Sequence, residues 1–247
     1  MIKGIYSSEA AMRPKMTRME VLANNLANIN TTGFKRDRVF IRMLQESSAA
    51  RPDGRTDLSG VETQKYIDLS AGAMRQTGNP FDVSLASDGF FAVETPRGVR
   101  MTRNGNFSLN AEGTLVTAEG HPVLGTAGRI QIPHMDRLDQ DTITINGSGE
   151  VVYNKETLGH LRVVVPENPA VLQKDHESLF FVNEGERLRE IPPDQVTIHQ
   201  GFLEESNVEG IEEMIAMIEL SRAFETDQRM IQSQDATLDR TMDIGRL

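Results

Sequence analysis

The sequence contains no cysteine and no tryptophan, and only 5% of its 247 residues are aromatic. Without cysteine there is no disulfide framework, no thiol nucleophile and no thiolate metal site. So few aromatic rings leave little from which to build a stacking platform for sugars or single-stranded nucleic acid. Basic residues are also in short supply, 26 against 36 acidic ones, for a formal charge of −10. Neutralising phosphates requires a basic face, so no nucleic acid partner is expected. No segment approaches the ~20 apolar residues that cross a bilayer, so no membrane insertion is expected either. Met1-Ile2-Lys3-Gly4-Ile5-Tyr6 has an early positive charge but no apolar run of ~7–15 residues after it, and does not read as a cleaved secretory signal.

What is present is an ordinary globular composition, 38% hydrophobic with 20 glycines, in a length of one main domain plus additional segments. Charge is unevenly spread. Residues 1–55 carry ten Lys/Arg and five Asp/Glu, a balance of +5, whereas residues 202–247 carry four bases and eleven acids, a balance of −7.

The hydrophobic period divides the chain. Met12, Met16, Met19, Leu22, Leu26 and Ile29 fall at steps of three and four, which predicts an amphipathic helix with a stop near Gly33. Ser47 to Gly60 is small, polar and charged, and reads as an exposed connection. From Tyr66 to Phe202 short alternating runs are separated by turn signals at Pro96-Arg97-Gly98, Asn104-Gly105, Glu112-Gly113, Glu119-Gly120 and Asn146-Gly147, which predicts an antiparallel β domain, an irregular barrel or sandwich. Helical spacing returns with Val208, Ile211, Met214/Ile215, Ile218 and Phe224, and Ser206 with Glu209 has the form of a capping box. The expected class is α+β: a helical segment over 1–46, a connection over 47–66, a β domain over 67–202 and a helix over 203–247.

Catalytic patterns are weak. His121, His134, His160, His176 and His199 are scattered without metal-binding spacing, and Asn146-Gly147-Ser148-Gly149 lacks the spacing of a nucleophile elbow and reads as a hairpin turn. Asp136, Asp139 and Asp141 lack the Gly and terminal Glu of a calcium loop, and no phosphate-binding motif occurs. No catalytic residue, metal, cofactor or small-molecule substrate is therefore expected. The terminal helices remain. Either they form an intramolecular pair that closes the domain, or they order on assembly with other chains. Seven of the twelve methionines lie in them, at 12, 16, 19, 214, 217, 230 and 242, and Met suits surfaces that pack in several non-identical ways.

Three blocks of sequence resemble the flagellar axial proteins, the rod, hook and hook-associated family. The first is Leu22-Ala23-Asn24-Asn25-Leu26-Ala27-Asn28-Ile29-Asn30-Thr31-Thr32-Gly33-Phe34-Lys35. The second comprises Asp82-Val83, Asp88-Gly89-Phe90-Phe91-Ala92-Val93 and Thr102-Arg103-Asn104-Gly105-Asn106-Phe107, and the third is Leu203-Glu204-Glu205-Ser206-Asn207-Val208-Glu209 with Glu213-Met214 and Arg222-Ala223-Phe224-Glu225. The resemblance implies a structural subunit of the basal-body rod, exported unfolded through the flagellar type III apparatus, with other rod proteins and copies of itself as partners. It implies that the terminal helices form an inner coiled-coil layer. Packing between subunits is then expected at Met12, Met16, Met19, Leu22, Leu26, Ile29, Ile211, Met214, Ile218 and Phe224. Asn24, Asn25 and Asn28 flank that stripe and are expected either to bond neighbouring chains or simply to stand exposed. Within the family, the short length and first six residues are similar to proximal-rod members, with distal-rod members as near neighbours. A reading from another class is a cell-wall-binding or wall-cleaving β module on helical anchors, for which the sequence offers neither an acid pair nor an aromatic platform.

Overall fold

The computed structural model describes residues 2–44, 60–132, 143–175, 178–183 and 185–244. The chain forms two compact units, one drawn from residues 1–27, 37–68 and 208–247 and the other from 28–36 and 69–207.

The first unit holds two helices and a ribbon. Helix α1 spans Ile2–Ala27, ten residues further towards the N-terminus than the stripe beginning at Met12. It runs through Pro14, whose missing amide deprives the Ala10 carbonyl of its helical donor. It stops at Ala27, so Ile29 lies beyond it. The Thr31 amide closes on the Asn28 carbonyl at 3.1 Å and the Thr31 hydroxyl donates to Asn28 Oδ1 at 3.2 Å. Asn and Thr compete with helical bonding in this way, which ends the helix before Gly33.

Strands Asp37–Leu44 and Gly60–Ile67 pair antiparallel, from Asp37 opposite Ile67 to Leu44 opposite Gly60. This revises the expected helical segment through residue 46 and the expected connection through 66. Val39, Phe40 and Ile41, and Val61, Tyr66 and Ile67, are the β-branched and aromatic types that favour a pleated surface. The rest of the expected connection, 45–59, lies outside the described residues.

Helix α2 spans Gly210–Ile244, 35 residues, or about 52 Å at 1.5 Å per residue. It begins later than the expected residue 203, because Phe202–Glu204 is a strand paired with Met74–Gln76. The Ser206 and Glu209 pattern therefore precedes the first helical residue. Glu212 and Glu213 occupy the first turn, where acids complement the helix dipole.

The second unit is mostly β. Its largest sheet runs, in spatial order, Gln173–Lys174, Leu179–Phe181, Gly98–Thr102, Phe90–Thr95, Val163–Pro166 and Leu188–Glu190, antiparallel throughout. It curls as a half-barrel. Shorter ladders close around a core that includes Phe81, Val83, Phe91, Val123, Val163 and Ile198. The turns at Pro96-Arg97-Gly98 and Asn146-Gly147 both join adjacent antiparallel strands, as the sequence predicts. With two helices and one β unit, the chain is α+β.

Candidate functional site

Helix α2 has two faces with different fates. Glu213, Met217, Leu220, Phe224, Asp227 and Ile231, at steps of four and three, are buried or half-buried. This side meets α1, where Lys15 Nζ lies 2.5 Å from Asp227 Oδ2 and Asn25 Nδ2 lies 3.5 Å from Glu213 Oε2. The other face is open. Ile211 is 74% exposed, Ile218 54%, and Met214 and Ile215 are exposed between them.

The residues expected to pack between subunits therefore divide. Leu22 is buried. Met12, Met19, Leu26, Ile29 and Phe224 are half-buried, and Met16, Ile211, Met214 and Ile218 are exposed.

The asparagines divide as well. Asn24 is exposed and Asn28 half-buried. Asn25 is buried, with its amide matched to the backbone of the ribbon: Nδ2 donates to the Asp37 carbonyl and Oδ1 accepts the Asp37 amide, both at 2.9 Å. The assignment of Asn25 to a neighbouring chain is corrected by this pairing, which satisfies both ends of the side chain internally.

In the β unit, several of the other signature residues meet at one place. Lys35 and Glu204, each 1% exposed, form an ion pair at 2.6 Å across 169 residues of sequence. Lys35 Nζ also donates to the Ser70 carbonyl at 2.6 Å. Glu204 Oε1 accepts the Gly72 amide at 3.0 Å, and its Oε2 accepts Arg103 Nη1 at 3.3 Å. Arg103 donates to the Leu85 carbonyl at 3.2 Å and lies over the Phe90 ring, 5.4 Å from its centroid. Burial pushes the Arg103 guanidinium below its ordinary value, and Glu204 opposes that shift. Arg103 Nε is buried with no hydrogen-bond partner among the described residues.

Backbone seals the same place. The Gly33 amide donates to the Glu204 carbonyl at 2.8 Å, and the Arg36 amide to Asn207 Oδ1 at 2.6 Å. Phe34 is buried under the Lys174 ammonium, 3.9 Å from the ring centroid. Gly33 has φ +69°, and a Cβ there would stand 2.4 Å from the Asn104 amide nitrogen; one on Gly105 would stand 1.7 Å from the Val83 carbonyl oxygen. Gly89 takes φ +120° beside Val163, and Phe91 packs edge-on to Phe107 in the core. Ser206 is half-buried and Val208 buried.

In the sequence Glu204 stands out only as part of a block, and Ser70 and Gly72 carry no signal. No periodicity links residues this far apart, and an acid in a short strand carries no mark of burial. Among the described residues no three His, Asp or Glu side chains gather as a metal site. His134, His176, Asp136, Asp139 and Asp141 lie outside the described residues.

The two end segments of the β unit are drawn together, Gly33 to Glu204 and Arg36 to Asn207, and each continues in sequence into a helix. Known families match three stretches of the chain. Residues 5–35 match the flagella basal body rod protein model, 84–153 the flagellar hook protein FlgE/F/G D1 domain, and 199–244 the flagellar basal body rod FlgEFG protein C-terminal model. The chain is 34% identical over 232 residues to the flagellar basal-body rod protein FlgF of Caulobacter vibrioides, covering 92% of this chain and 89% of that one. It is 30% identical to the flagellar basal-body rod protein FlgG of Bacillus subtilis, over the full length of both. It is likewise 30% identical to the flagellar hook-basal body complex protein FlhO of the same organism, also over the full length of both. The chain belongs to the flagellar basal-body rod protein family, and its place is the rod.

Proposed function

We propose that the chain is a proximal-rod subunit that reaches the rod unfolded, through the flagellar export apparatus, and polymerises there with copies of itself and other rod proteins. Its helices form an inner coiled-coil layer of a tube that transmits torque. The observation that carries this reading is the open apolar face of α2, Ile211, Met214, Ile215 and Ile218, which lies opposite a seam already filled by α1. Apolar residues exposed in a row over two turns mark an interaction surface. A repeated contact between different surfaces of identical chains builds an open helical array. The absence of cysteine suits a chain that travels unfolded to an oxidising compartment.

The test substitutes Ile211→Glu with Ile218→Glu in a strain lacking the native protein. The expected result is an exported, folded subunit missing from purified basal bodies, with motility lost. Normal incorporation would refute assembly through this face. Crosslinking to rod neighbours distinguishes the proximal from the distal position.

A further inference from the structure

We infer that residues 33–36 and 203–207 form a clasp that opens and closes as one cooperative step on an otherwise intact β unit, with Glu204 as its switch. Interactions that join the two segments include Gly33 amide to Glu204 carbonyl, Asn207 amide to Phe34 carbonyl, Arg36 amide to Asn207 Oδ1, and Lys35 to the Glu204 carboxylate. They are tied to the unit by the ladder that pairs Leu203 and Glu204 with Arg75 and Met74, by Lys35 on the Ser70 carbonyl, Lys174 on the Lys35 carbonyl and Gly72 on Glu204 Oε1, and by the Glu205 amide on the Ala73 carbonyl at 2.8 Å.

What separates the clasp from the rest is the nature of its cohesion. The main hydrophobic cluster contains no residue of 33–36 or 203–207, although Phe34 and Leu203 are buried. The clasp is held by ions and hydrogen bonds around one carboxylate that meets two buried cations, Lys35 and Arg103. Removing one member of a buried ionic group is strongly destabilising, because it strands the opposite charge away from water. Elements with few apolar contacts open in sub-global steps below the free energy of the core. The step is cooperative because the Lys35, Arg103 and Gly72 bonds all end on the one Glu204 carboxylate, whose displacement breaks them together.

Native-state hydrogen exchange of the full-length chain tests this. The amides of Gly33, Gly72 and Asn207 report the clasp; those of Ala92 and Val123, bonded at 3.0 and 2.9 Å within the sheet region, report the core. The expected result is one shared protection factor for the three clasp amides, roughly tenfold or more below that of the core amides. Glu204→Gln lowers the three together by a further tenfold or so, and lowers Ala92 and Val123 by no more than the same factor, since full unfolding also breaks the clasp. Lys35→Met, which keeps the Arg103 pair with Glu204, lowers the same three by less. Exchange of the clasp amides together with the core, three unrelated protection factors, or a Glu204→Gln chain that fails to fold would each overturn the inference.

Discussion

Gly33 shows how one residue in a signature block can be fixed by the fold of its own chain. Its φ of +69° excludes most side chains, and the backbone of Arg103 and Asn104 fills the space where a Cβ would point. Gly33→Ala is therefore expected to destabilise the β unit by more than about 2 kcal/mol, through strain and collision together. The measurement is the denaturant midpoint of the monomer, and an unchanged midpoint would contradict the close approach. Lys35 and Arg103 share that logic. Both are buried cations that converge on Glu204, so their identity follows from a pairing inside the chain. The opposite holds at Ile211, whose side chain is mostly open and whose replacement touches little in the monomer.

At the scale of elements, α2 separates the two roles. Leu220 is buried on the side of α2 that carries Glu213 and Asp227, and Leu220→Ala is expected to lower the stability of the helical unit by about 2–4 kcal/mol, as truncation of a buried Leu does. Ile215→Glu on the open face is expected to change it by less than about 0.5 kcal/mol. Thermal or denaturant unfolding followed by circular dichroism compares the two; equal losses would mean that the helix has one face. Surface pairs in the β unit give a pH signature. Glu150 is held below the ordinary carboxylate value by hydrogen bonds from Thr157 and Asn146, and Glu94 by the paired hydrogen bonds of Arg129. A lowered folded value means that the stabilisation is present above the ordinary carboxylate range and disappears as pH falls through the folded values. Glu150→Gln should therefore lower the melting temperature near neutral pH, and the difference from the native chain should vanish in acid. A difference that persists in acid would contradict the assignment.

These elements were unequally legible in the sequence. The β hairpins could be read because Gly and Asn turns punctuate period-two runs, and the two helices because apolar residues step by three and four. The ribbon was missed because Val39, Phe40 and Ile41 sit close to a helical stretch, while their partners 60–67 follow a long polar segment. The inward face of α2 was legible only at Phe224. Its seam includes Glu213 and Asp227, which hydrophobic periodicity discards, so Ile211, Met214 and Ile218 on the open side carry the pattern instead. The clasp was beyond any periodic reading, since its charges are brought together by topology alone.

For the whole molecule, the two kinds of residue have a common result. The signature residues that the structure accounts for, Asn25, Gly33, Lys35, Arg103 and Asn207, shape each chain from within, and the exposed apolar row on α2 is, in the proposed assembly, the surface that meets another chain. Charge follows the same division, +5 over residues 1–55 and −7 over 202–247, so ends of opposite sign can attract within a chain and between chains. The measurement that tests this account most directly is a density map of an intact basal body at side-chain resolution. The account predicts Lys35, Arg103 and Glu204 paired within each chain, with Ile211, Met214, Ile215 and Ile218 covered by a neighbouring one. A map with those four side chains facing solvent, or with Lys35 paired to Glu204 of a different copy, would contradict it.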